Sequence, residues 1–104
     1  MTTELERLTS TPKGKRLLEQ ERLILQVTEC IVQLMQEQNV TRTELARRLG
    51  KSKGWISQLL AGETNFTLRT VADVFGALGH RPVVDIERDR SGTAPGVHAQ
   101  EAQP

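Results

Sequence analysis

Lys53, Gly54, Ser57 and Gln58 fall on one face of any helix that contains them. That face offers an ammonium, bare backbone, a hydroxyl and a carboxamide, and no carboxylate. It can donate hydrogen bonds without repelling phosphate. Amide and cationic side chains on a short helix are suited to reading base edges in the major groove of DNA, so the chemistry in view is recognition. Gly54 weakens a helix by roughly 0.5–1 kcal/mol with no evident packing gain, which favours close backbone approach to a ligand. Trp55, the single tryptophan, either stacks on or touches the methyl of a base, or packs on the preceding turn and fills a gap. Arg69 stands in the first turn of a later helix and is a candidate phosphate ligand. Arg47 and Arg48 read more simply as a solvated face. Cys30, His80 and His98 are scattered, so no metal constellation forms. No Ser/His/Asp grouping, phosphate-cradling glycine loop or paired carboxylates can be assembled. Neither catalysis nor a cofactor is expected.

The recognition face needs an element to hold it, and the stretch Val40 to Gly62 supplies one. Thr41 is a good N-cap, and Glu44 completes a Thr-x-x-Glu capping box ahead of Leu45, Ala46 and Leu49. A helix is predicted over Arg42–Leu49. Gly50 can adopt the left-handed conformation that ends it, and Ser52 caps the next helix, predicted over Lys53–Ala61 and stopped by Gly62. Ile56, Leu59 and Leu60 form one apolar stripe that packs on the first helix.

Charge follows the same division. Residues 39–69 hold six basic and two acidic side chains, against five and six in residues 1–38 and three and five in residues 70–104. The overall charge of +1 therefore hides a concentration of positive charge on the motif, as a phosphate-facing surface requires.

Upstream, Leu17, Leu23, Ile24, Val27, Ile31, Leu34 and Met35 are spaced at threes and fours, which predicts a long amphipathic helix of roughly six turns. Only its C-terminal half is needed to cover the motif; Leu17, Leu18 and Leu23 have apolar surface to place elsewhere, such as against a partner subunit. Downstream, Thr67 caps a predicted helix whose Leu68, Val71, Ala72, Phe75 and Leu78 form a core stripe, ended by Gly79. Pro82 then blocks helix continuation, and Val83, Val84 and Ile86 favour a short strand. A lone strand has no sheet to join in a helical monomer, so it pairs with the same strand of a second subunit or with another protein's edge. The expected organisation is a flexible segment over 1–16, a helical domain with its terminal strand over 17–88, and a disordered tail over 89–104.

At these residues the chain resembles the Xre family, the Cro- and phage-repressor-like helix-turn-helix proteins. TRTELARRLGKSKGWISQLLAGETN aligns without gaps to the family pattern Thr/Ser-Gln-x-x-Leu-Ala-x-x-Leu-Gly-x-Ser-x-x-x-Ile-Ser-x-x-x-x-Gly. The resemblance spans roughly Leu23 to Leu78. It implies an all-α fold, a compact bundle of about five helices, to which the periodicity adds the long leading helix and the C-terminal β-strand. It also implies double-stranded DNA as the partner, with Lys53, Gly54 and Gln58 at base-contacting positions and Arg42, Ser52 and Asn65 at phosphate-holding ones. Two departures stand out. Arg42 replaces the usual Gln, and Met35 and Leu60 replace a partly buried Arg–Glu pair, a swap that is often neutral or stabilising.

These features together lead to a DNA-binding transcriptional regulator, a repressor acting as a homodimer, with Val83, Val84, Asp85, Ile86 and Glu87 as the first candidate dimer contact. The long leading helix, the run Asn65-Phe66-Thr67-Leu68-Arg69-Thr70 and the following strand also look like the antitoxin half of a toxin–antitoxin module, in which a flanking segment neutralises a toxin protein. A mobile-element regulator without a toxin is the third reading. A single cysteine and the lack of any apolar run of membrane-spanning length point to a soluble cytoplasmic protein with no membrane partner.

Overall fold

The computed structural model describes residues 3–63 and 66–88. Five helices follow in order: α1 (Glu4–Thr9), α2 (Pro12–Gln38), α3 (Arg42–Leu49), α4 (Lys53–Leu60) and α5 (Leu68–Ala77). Each begins where a side-chain oxygen can take up an orphan amide: Thr3, Thr11, Thr41, Ser52 and Thr67 accept from the backbone N–H three residues on, which satisfies one free donor of the first turn. Pro12 opens α2, because proline at the first helical position gives up an amide that would have no partner anyway. Asn39 ends α2 and Gly50 ends α3 in the left-handed region, at φ 56 and 65.

The expected bundle of about five helices is a bundle of four. α1 packs on α2 alone among the helices, while α3 packs on α4 and α5, and α2 crosses both α4 and α5. The core is Ile31 and Met35 from α2, Val40, Leu45 and Ala46 around α3, Ile56 and Leu59 from α4, and Val74, Phe75 and Leu78 at α5. Leu60 packs against this cluster, so Met35 and Leu60 both serve as packing residues at the positions where the family carries charge. Burying apolar side chains here avoids the desolvation of an ion pair.

Four expectations change. Residues 1–16 do not form a wholly flexible segment: α1 and the first residues of α2 lie within them. The core stripe of α5 is rotated, for Val74 is fully buried while Leu68 is 80% exposed and Ala72 is exposed; α3 and α2 approach from the side of Val74, so only part of the helix's apolar arc is covered. The capping box at α3 is half made. Thr41 Oγ accepts from the Glu44 amide at 3.1 Å, but the Glu44 carboxylate turns to Arg47. The C-terminal strand does not form: residues 81–88 have no regular secondary structure, and Val83, Val84 and Ile86 are 76–82% exposed. A strand needs an edge to pair with, and this helical chain provides none. The tail over 89–104 lies outside the described residues. No helix among the described residues is long and apolar enough to cross a membrane.

Candidate nucleic-acid interface

Two short helices and a glycine turn set the site. Gly50 at φ 65 carries the chain out of α3, its amide bonding Arg47 O at 3.2 Å and the Lys51 amide bonding Ala46 O at 2.9 Å. Ser52 Oγ then accepts from the Trp55 amide at 3.0 Å and starts α4. Ile56 and Leu59 anchor α4 with no exposed surface, which fixes the rotation of the helix about its axis. The opposite arc is thereby turned outward: Lys53, Gly54 and Gln58 are exposed, and Ser57 is half-buried.

Arg42, at the start of α3, reaches across to α4, where its Nη1 donates to Ser57 Oγ at 3.2 Å. The guanidinium keeps its remaining donors free, since one contact uses only part of its fork. Trp55 is half-buried against the core, with Lys51 Nζ 5.3 Å from the ring centroid. The ring thus packs against the core and has a cation of the turn over it. Lys51 was not singled out from the sequence as a contact; its spacing of four residues from Trp55 across the turn was the available signal. Gly54 has open space beside it: a Cβ there would meet only Ser52 Oγ at 3.9 Å. Nothing within the protein demands glycine at that position.

The arginines divide into two sets. Arg47 makes a two-pronged contact with Glu44, Nε at 2.8 Å and Nη2 at 3.0 Å. Arg48 donates from Nη1 to Ala77 O at 2.9 Å and ties α3 to the end of α5, a bracing role that reading it as solvated surface missed. Gln38 Nε2 bonds the neighbouring Leu78 O at 2.7 Å, so α2 and α3 together take up carbonyls at the end of α5. The hydrogen bonds and positive charge of Arg47, with Arg48 close by, hold the Glu44 carboxyl below its ordinary range despite a smaller opposing desolvation. By contrast, Arg42, Lys51, Lys53 and Arg69 have no carboxylate partner among the described residues. Their charge is available to an external anion. Asn65 lies outside the described residues.

The arrangement is a capped, core-anchored helix that turns hydrogen-bond donors outward, with Arg42, Lys51 and Lys53 beside or on it and without carboxylate partners among the described residues. It can engage a polyanion whose edges also accept and donate hydrogen bonds. The sequence profile described as helix-turn-helix matches residues 31–90. That span exceeds half of the 104 residues and runs from the core-facing part of α2 through α5 and beyond. No curated protein and no solved structure matches the chain significantly.

Proposed function

Because the chain belongs to the Xre family of Cro- and phage-repressor-like helix-turn-helix proteins and is a DNA-binding regulator of transcription, we propose that it reads an inverted-repeat operator as a homodimer and represses transcription there. The observation that carries this reading is the outer face of α4, where Lys53, Gly54 and Gln58 stand exposed. In this reading Lys53 and Gln58 meet base edges, Gly54 lets the backbone come close, and Trp55 touches the groove from beside the turn. Ser57 is held in place by Arg42. Arg42, Ser52, Asn65 and Arg69 contact phosphates; the Ser52 hydroxyl accepts from Trp55 and still has its own hydrogen to donate.

Homodimerisation follows from magnitude. One recognition helix makes a handful of base contacts, each giving about 1–3 kcal/mol of discrimination, and two half-sites double that. Val83, Val84, Asp85, Ile86 and Glu87 supply exposed apolar and charged surface to such a contact. The cytoplasm, where an operator is accessible, is the corresponding compartment. The experiment that tests this reading is fluorescence anisotropy on the DNA upstream of the protein's own gene, beside a scrambled duplex, across a salt series. Tight, salt-sensitive binding to the upstream duplex alone is expected; equal weak binding to both would move the cognate site elsewhere or make a protein the principal partner.

A second reading, the antitoxin, is favoured by one observation. α1 packs on α2 alone among the helices, and Leu17, Leu18 and Leu25 of α2 are 37–56% exposed. A toxin protein bound along this segment would cover them while the same α4 face represses the operon. Co-purification with the product of a neighbouring small gene is the expected outcome of that reading.

A further inference from the structure

Helix α2 carries two seams. Ile24, Thr28, Ile31 and Met35 face the bundle, with Thr28, Ile31 and Met35 buried. Leu23, Val27, Cys30 and Leu34 each come one residue earlier and so lie about 100° round the helix. Their steps of four, three and four residues are the a/d period along which one helix packs on another. Only part of this second seam is covered within the monomer: Val27 and Leu34 touch the core, whereas Leu23 is 62% exposed and Cys30 is exposed. The seam forms one wall of a groove of about 580 Å³, with Val71 and Phe75 of α5 and the arm from His80 to Asp85 completing it.

We infer that this groove seats helix α2 of a second copy of the chain, the two α2 helices packing antiparallel about a twofold axis near Cys30. The inference rests on the homodimer reading above and gives it a location. Three observations select a second copy as the occupant. First, the middle of the seam is self-complementary: reversed about Cys30, Val27 falls within one residue of Leu34 of the other copy, while Leu23 comes opposite its Glu37. Second, charge agrees with that register, because Glu37 has no cationic partner among the described residues and comes beside Arg22 of the other copy, whose own contact with Glu19 at 3.7 Å is solvent-exposed and worth little by itself. Third, the groove takes no residue from α3 or α4, so filling it leaves the recognition face free for DNA. Its fifteen lining residues are somewhat fewer than the roughly 20–30 residues a side of a standard interface.

Cys30 is the only cysteine, which makes the test direct. The full-length protein is treated with a short bis-maleimide, and its oligomeric state is followed by sedimentation. Expected are a dimer, a covalent Cys30–Cys30 product, and a dimer dissociation constant raised about tenfold or more by Leu23→Glu, as for a charge placed in an interface core. Leu23 is largely exposed in the monomer, so circular dichroism should show the variant folded. Leu17→Glu, two turns away, should leave the dimer intact. A dimer that survives Leu23→Glu and gives no cross-link overturns the α2 pairing and leaves homodimerisation standing through another surface. A wild-type protein that remains monomeric, on and off DNA, overturns both.

Discussion

The outer face of α4 and the outer seam of α2 are both exposed, yet they are finished in opposite ways. On α4 Ile56 and Leu59 are fully buried and Leu60 packs on the core, while what faces water is ammonium, carboxamide and backbone. On the outer seam of α2 and on the arm, large apolar side chains stay out: Leu23, Val83, Val84 and Ile86 are all more than half exposed. Scattered exposed leucines mean little in a small protein, but contiguous ones mark a surface that another protein covers. A face whose apolar residues turn inward, and whose cations lack carboxylates among the described residues, suits a polyanion. The molecule thus keeps its donor-rich surface and its apolar surface apart.

The comparison breaks most severely at the core that orients α4. Leu45→Ala removes a side chain with no exposed surface and should destabilise the domain by about 2–5 kcal/mol, whereas Leu25→Ala, at a side chain 56% exposed, should stay within about 0.5 kcal/mol. Chemical denaturation of both variants measures the contrast, and equal losses would mean that α2's outer side chains are covered in the free protein.

Next in size, Gln58→Ala should cost about 1–3 kcal/mol in preference for the cognate site while leaving non-specific binding nearly unchanged. Competition titrations against cognate and scrambled duplexes read the difference. A parallel loss on both would move Gln58 from base reading to general affinity.

Gly54→Ala separates folding from function at one position. With open space beside it, alanine should stabilise α4 by roughly 0.5–1 kcal/mol, and DNA affinity should nevertheless fall because the added methyl group obstructs close approach. A variant both more stable and equally tight on DNA would show that the glycine serves neither role.

The smallest effect is electrostatic. Arg47 lowers the Glu44 carboxyl from an ordinary value near 4.5, so the ionised form is favoured by folding. That stabilisation is complete above the unfolded-state value and disappears as pH falls through the folded-state one. Thermal melts across pH 3–6 should therefore show a shallower acid-side decline in Glu44→Gln than in the parent; superimposable curves would place the acid sensitivity on other carboxylates.

Local signals proved legible where one residue decides a local conformation. Thr41, Ser52 and Thr67 announce helix starts because each oxygen finds an amide three residues on, and Gly50 announces the turn because few other residues take φ 65 without strain. Thr11-Pro12 opens α2 by the same local rule, an N-cap oxygen followed by a proline at the first helical position. Periodicity identified α5 as a helix but assigned Leu68 and Ala72 to the core, since the apolar arc is wider than the area its neighbours cover. The valines after Pro82 have strand propensity, but propensity supplies no partner edge. Arg48 shows a similar limit: its bond to Ala77 O spans 29 residues, and no local pattern announces it.

By itself, then, the order of residues determined where α3 begins and ends, where α4 begins, the turn between them, and which side chains share the outer face of α4. Those outcomes depend on backbone geometry and hydrogen bonds within a few residues. Only the tertiary structure decided that Arg42 crosses to Ser57, that Arg48 and Gln38 close the end of α5, and that Leu23 and Cys30 remain uncovered beside a groove. Which of several apolar or charged side chains on a helix is buried depends on where the other helices come to rest, and that is a property of the packed chain rather than of any segment of it.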